Sequence, residues 1–124
     1  MKVYFGGSYN GKLNLILEKY NLTKDDIYYC KDEELDFNKK IISGLERYIY
    51  SRVIEKKESF NYIVNNREKF KDKIIVVDMI SEGVVPIKKE ERLWREETGK
   101  VMQYLIKESD EVFRVFFGIE KRMK

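Results

Sequence analysis

The sequence predicts an α/β fold of three layers, a mostly parallel sheet between flanking helices, built as one domain over residues 1–124. Three observations carry that prediction. Strand-like apolar runs alternate with stretches of helical periodicity, which implies right-handed crossovers between parallel strands. The run Ile74-Ile75-Val76-Val77 is apolar throughout, as a strand covered on both faces requires. A glycine-rich turn joins the first strand to the first helix. At 124 residues the chain has the length of one ordinary domain.

The elements follow in order. Val3-Tyr4-Phe5 predicts a short buried strand, and Gly6 to Gly11 the turn after it. From Lys12 to Tyr20, Leu13, Ile16, Leu17 and Tyr20 recur at spacings of three and four, so an amphipathic helix is expected, ended by Asn21. Thr23-Lys24-Asp25-Asp26 is a polar connection. Ile27-Tyr28-Tyr29-Cys30 reads as a second strand, and Asp32-Glu33-Glu34 as an acidic loop. Ile41, Leu45, Tyr48, Ile49 and Val53 mark a second helix, and Phe60, Ile63, Val64 and Phe70 a third. Glu55-Lys56-Lys57-Glu58 between them suits a solvated helix surface or loop. The strand from Ile74 ends at Asp78, and Ser81 to Pro86 forms a loop. A long helix from about Lys88 to Glu108 carries Trp94, Thr98, Val101 and Leu105 on one face, where core residues belong. Val112 to Phe117 is a last strand, stopped by Gly118.

Composition removes several function classes. The chain holds 25 basic and 22 acidic residues, well interspersed, for a net charge of +3. That field is too weak and too mixed to argue for a nucleic-acid groove on charge alone, while a bound nucleotide is compatible with it. The lone Cys30 cannot form an intramolecular disulfide, and its simplest role is a half-buried strand thiol. The chain has no His, which removes His-centred acid–base catalysis, nucleotidyl-histidine intermediates and most zinc sites; no metal site is assigned. No stretch approaches the roughly twenty apolar residues of a membrane span, and no signal peptide is visible. The expected setting is the cytoplasm, without membrane or nucleic-acid partners.

Gly6-Gly7-Ser8-Tyr9-Asn10-Gly11-Lys12 fits the first seven positions of G-x-x-x-x-G-K-[ST]. Glycines at that spacing let the backbone wrap a phosphate with its N–H groups turned inward. The helix amino terminus adds partial positive charge, and the lysine reaches the terminal phosphates. Gly6, Gly7, Ser8, Tyr9, Asn10, Gly11, Lys12 and Leu13 are therefore the candidate nucleotide-binding residues. The plainer reading is a turn that only lets the helix pack close to its strand. At the eighth position a Ser or Thr hydroxyl would ligate Mg²⁺, but Leu13 stands there and cannot coordinate a hard cation. Asn14 comes one residue late, turned by about 100° on the helix. Asp78 ends the strongest strand, where α/β sheets present functional groups. It either holds Mg²⁺ through water or caps the turn. Lys12 and Asp78 are the candidate catalytic pair.

Read with the second half, the turn resembles a known family. Gly83-Val84-Val85-Pro86, Trp94-Arg95-Glu96, Gly99-Lys100-Val101, Gln103, Leu105, Asp110-Glu111-Val112 and Gly118-Ile119 occur in order at consistent spacing. This looks like the adenosylcobinamide kinase/adenosylcobinamide-phosphate guanylyltransferase family of cobalamin biosynthesis. Its members open on G-G-x-x-x-G-K-S and close with N-E-x-G-x-G-[IV]-V-P, F-R-D-x-x-G-x-x-N-Q and a D-E-V strand ending in G-[IL]-P. The resemblance spans Met1 to Ile16 and everything from Ile74 onward, a little over half the chain. It implies a P-loop-type fold, ATP or GTP as the bound nucleotide, and a corrinoid or other small hydroxyl compound as phosphoryl acceptor. Gly83, Val85, Pro86 and Arg95 are then the expected substrate-side residues. The family tends to assemble through its helices, so a homo-oligomer is compatible with it. Departures are specific. Asp78-Met79 stands where the family has Asn-Glu, Leu13 replaces the loop Ser, Met102 the helix Asn, and Glu120 the final Pro. The middle is shorter, and without His the family's guanylyl transfer is excluded. Kinase chemistry on a reduced scaffold and a non-catalytic nucleotide-binding or partner module are the two expectations left. Phe5 to Asn10 also resembles the opening of the HxGH nucleotidyltransferases, which need paired His residues that this chain lacks.

Overall fold

The computed structural model describes residues 1–7, 11–32, 34–79 and 88–124. Of the expected site residues, Ser8, Tyr9, Asn10, Gly83, Val85 and Pro86 lie outside the described residues. Strand β1 (Lys2–Gly6) leads to helix α1 (Lys12–Tyr20), a short 3₁₀ turn (Lys24–Asp26) and β2 (Ile27–Tyr29). Then come β3 (Ile41–Ser43), α2 (Leu45–Ile54), α3 (Phe60–Asn65), α4 (Arg67–Phe70) and β4 (Ile74–Asp78). Helix α5 (Lys89–Glu108) and strands β5 (Glu111–Phe116) and β6 (Ile119–Arg122) complete the chain. The six strands form one sheet in the order β2-β3-β4-β1-β5-β6, parallel except for the β5–β6 pair. No helix among the described residues is long and apolar enough to cross a membrane.

Alternation along the strands sorts the core into two faces. Val3, Ile42, Ile75, Val77 and Val112 pack with Leu45, Tyr48, Ile49, Ile63, Phe70, Val101 and Leu105 from α2–α5. Tyr4, Ile41, Ile74, Val76, Phe113 and Val115 face α1 through Ile16. That division follows from handedness: β1 crosses leftward to β2, whereas β3 and β4 cross rightward, so right-handed connections put α1 on one face and α2–α5 on the other. One nine-residue helix is thin cover for a six-stranded sheet. Polar side chains extend it. Lys19 lies with its ammonium 3.9 Å from the Phe113 ring centre, donates to Tyr4 Oη at 3.1 Å and pairs with Glu120 at 2.9 Å. The Tyr4 and Tyr20 hydroxyls are hydrogen-bonded at 2.7 Å, and burial pushes the Tyr4 phenol well above its ordinary range.

Four expectations need correction. Ile41 is not helical: Ile41-Ile42-Ser43 is the parallel strand β3 between β2 and β4, and the helix starts only after Gly44. Two adjacent isoleucines satisfy a helical face and a buried strand equally, and only the sheet partners decide between them. The third helix is two short ones, α3 and α4, broken at Asn66. Cys30 lies just past β2 and is fully buried, not half-buried, its N–H donating to Ser43 O at 2.8 Å. The strand that ends before Gly118 is not the last: Phe117 (φ 48°) and Gly118 (φ 74°) make a two-residue turn with positive φ at both positions, and β6 returns antiparallel to β5.

Glycine is required at position 6 by space. A Cβ there would sit 2.3 Å from the Val115 carbonyl oxygen of β5, a backbone atom that cannot yield. Gly6→Ala is expected to cost about 1–3 kcal/mol. Gly99→Ala, on α5 with nothing within 4 Å of the added methyl, is expected to gain about 0.5–1 kcal/mol. Urea unfolding of both variants checks the pair.

Candidate functional site

The carboxyl ends of β2, β3 and β4 and the start of α1 border a cleft of about 330 Å³ lined by Gly11, Lys12, Leu13, Asn14, Tyr29, Ser43, Gly44, Arg47, Val76 and Asp78. Its place is set by topology. The connections leaving β1 and β4, which are neighbours in the sheet, depart to opposite faces and leave a crevice between them, the usual ligand position of open α/β sheets.

Lys12 and Asp78 meet in this crevice. Lys12 is the first residue of α1, and its ammonium lies 2.6 Å from the Asp78 carboxylate. Asp78 is opposite Gly6 in the β1–β4 register and shares the sheet face of Ile74 and Val76, so it points toward α1. The ammonium also donates to Gly7 O at 2.7 Å and reaches Gly6 O at 3.5 Å. Lys12 is only 5% exposed, which is tolerable for a charge so paired. The two candidate catalytic residues thus form one ion pair.

Gly11, the N-cap of α1, is left-handed (φ 78°), and no side chain caps the helix. The first-turn N–H groups of α1 are therefore left for solvent or a ligand. Leu13 lines the cleft and packs on the α1-face core, offering no oxygen. Asn14, although a helical step away, lines the cleft as well. Arg95 is half-buried on α5 and is not among the residues lining the cleft. Its neighbour Trp94 donates from Nε1 to Glu46 O at 2.8 Å and packs edge-on to Tyr50.

Sequence reasoning missed the second wall. Ser43, Gly44, Glu46 and Arg47 come from the β3–α2 junction. Gly44 is left-handed (φ 82°) and caps α2 without side-chain help, repeating the arrangement at Gly11. Glu46 is buried, and its Oε1 accepts from the Asp78 N–H at 2.9 Å. Burial raises its pKa above the ordinary 4.5, with the Asp78 charge adding to the rise, while the Asp78 N–H and Arg47 oppose it. The signal was present in Ile41-Ile42-Ser43-Gly44, an apolar strand closing on glycine as Val3-Tyr4-Phe5-Gly6 does. Assigning Ile41 to a helix hid it. Cys30 lies behind this wall, its thiol pushed up to about 12, chiefly by burial, so it is protonated and not a nucleophile. No group of three or more acidic or Cys residues suited to a metal ion occurs among the described residues.

The chain matches no model of a known protein family, and no curated protein matches it.

Glu46 makes stability depend on pH in a defined sense. A carboxyl whose pKa is raised on folding holds its proton more tightly in the folded state. Its contribution is therefore fully present below 4.5 and is lost as pH rises from 4.5 through the folded value. Glu46→Gln removes that loss and keeps an acceptor for the Asp78 N–H. The variant is expected to gain on the wild type in urea midpoint as pH rises above 4.5, and an offset that does not change with pH would contradict the assignment.

Proposed function

We propose that the chain is a nucleotide-binding protein with a P-loop-type turn at Gly6–Lys12. We place it as a shortened relative of the adenosylcobinamide kinase/guanylyltransferase family, working in the cytoplasm on a corrinoid or other small hydroxyl acceptor. The observation that carries this is Lys12 buried at the head of an uncapped helix and paired with Asp78 across the crevice beside β1. The motif resemblance in both halves of the sequence supports it independently.

The chain's own residues suit a triphosphate. The open amide groups at the start of α1 complement anionic oxygen, and the left-handed Gly11 lets the backbone approach it closely. Phosphate would draw the Lys12 ammonium off the Gly7 carbonyl, leaving Asp78 to orient an acceptor hydroxyl or a metal-bound water. Bound Mg²⁺ would supply charge compensation at the transferred phosphoryl group. Leu13 contributes nothing to such an ion and Asp78 is the remaining oxygen ligand, which favours weak metal dependence. Guanylyl transfer through histidine is excluded by composition.

A second reading has its own support. With Leu13 in the metal position, the chain suits a module that binds nucleotide and performs no transfer, serving a partner or sensing role.

Calorimetric titration of ATP and GTP with and without Mg²⁺, followed by a phosphoryl-transfer assay on cobinamide, separates the two. Nucleotide is expected to bind, and Lys12→Ala to weaken it by about ten- to a hundredfold, the worth of a hydrogen bond to a charged group. Binding without Mg²⁺ dependence or turnover selects the non-catalytic module. No binding of either nucleotide would sink both.

A further inference from the structure

We infer that the cleft holds a second phosphate subsite, formed by Ser43, the amino terminus of α2 and Arg47, opposite Lys12. It stands on β3 and α2 alone and holds whether or not the loop after β1 takes a nucleotide.

The ten-residue helix α2 begins at Leu45 behind a left-handed glycine with no side-chain cap; the Arg47 N–H closes on Gly44 O at 2.9 Å, so the helix start offers the cleft chiefly the positive end of its dipole. A helix start alone is common, and two independent features mark this one. Ser43 is 91% buried by its 9% exposure, lines the cleft, and its hydroxyl makes no hydrogen bond among the described residues. It lies in register with Val76, two residues short of Asp78, on the face turned to α1. The residue is nearly enclosed and lines the cleft, and its hydroxyl has no internal partner, so a hydrogen bond to it comes from the cleft side.

The second feature is Arg47. Its side chain also lines the cleft, and the guanidinium makes no hydrogen bond among the described residues. The carboxylate oxygen paired with it, Glu46 Oε2, is 3.8 Å away, beyond hydrogen-bond reach. A guanidinium offers two parallel donors that match phosphate geometry. The nearby carboxylates do not forbid an anion. Asp78 is neutralised by Lys12 at 2.6 Å, and Glu46 turns Oε1 to the Asp78 N–H.

The ligand is a phosphate group, from one of two sources: the far end of a nucleotide's phosphate chain, or a phosphate carried by a second substrate. Titrating inorganic phosphate into the protein, alone and with saturating ATP, tells them apart. Displacement by ATP assigns the subsite to the nucleotide, and phosphate binding beside ATP assigns it to the second substrate. Arg47→Ala is expected to weaken phosphate by about tenfold or more and Ser43→Ala by about fivefold. Arg47→Lys should recover part of the loss, and Lys12→Ala should cost less than Arg47→Ala. Arg47 is exposed and Ser43→Ala removes one oxygen, so both variants are expected to fold. No phosphate binding at millimolar concentration, unchanged affinity in both variants, or a loss in Lys12→Ala equal to that in Arg47→Ala would overturn the inference.

Discussion

An ammonium group taken out of water must be neutralised where it lies, and Lys12 meets that demand through Asp78. The pair fixes more than two side chains. It requires the start of α1 to stand over the end of β4, and hence β1 and β4 to be neighbours, which is the register observed with Gly6 opposite Asp78. On the other side of β1, the β1–β5 register seats Gly6 against the Val115 carbonyl, so the first glycine of the turn is set by β5 as much as by any ligand. Met79 N–H closing on Gly6 O at 2.8 Å extends the ladder one step past the pair.

A chain of polar links runs outward from there. The Asp78 N–H is held by the Glu46 carboxylate, and the Glu46 carbonyl by the Trp94 indole. Helices α1, α2 and α5 are thereby tied to the carboxyl edge of the sheet at one place. The first of these links gives a partner to a backbone N–H at the end of β4. The same place is where two uncapped helix starts, Gly11 and Gly44, open onto one cleft. Packing elsewhere is conventional for the fold, with the large core on the α2–α5 face and a smaller one under α1. Beyond β5 the sheet ends on an edge strand carrying Lys121 and Arg122, charges of the sort that discourage another strand from adding there.

Residue pattern alone determined the alternating architecture, the strand Ile74–Asp78, the long helix to Glu108 and the strand–glycine–helix unit at the amino terminus, all signalled by local periodicity over enough residues to be unambiguous. It also named Lys12 and Asp78, because a lysine after a glycine turn and an aspartate at a strand end are meaningful by position. Whether those two meet was not legible, since sixty-five residues separate them and only the strand order joins their ends. The three-residue strand β3 and the return strand β6 were hidden for a related reason. Ile41-Ile42-Ser43 is a strand only because Ile27 and Ile74 flank it, and Ile119–Arg122 only because Phe117 and Gly118 both turn left-handed. With β3 went Ser43, Glu46 and Arg47. Sequence determined which residues carry charge, hydroxyl and conformational freedom; the tertiary structure decided which of them share a cleft, because pairing between distant strands places them and no local pattern records it.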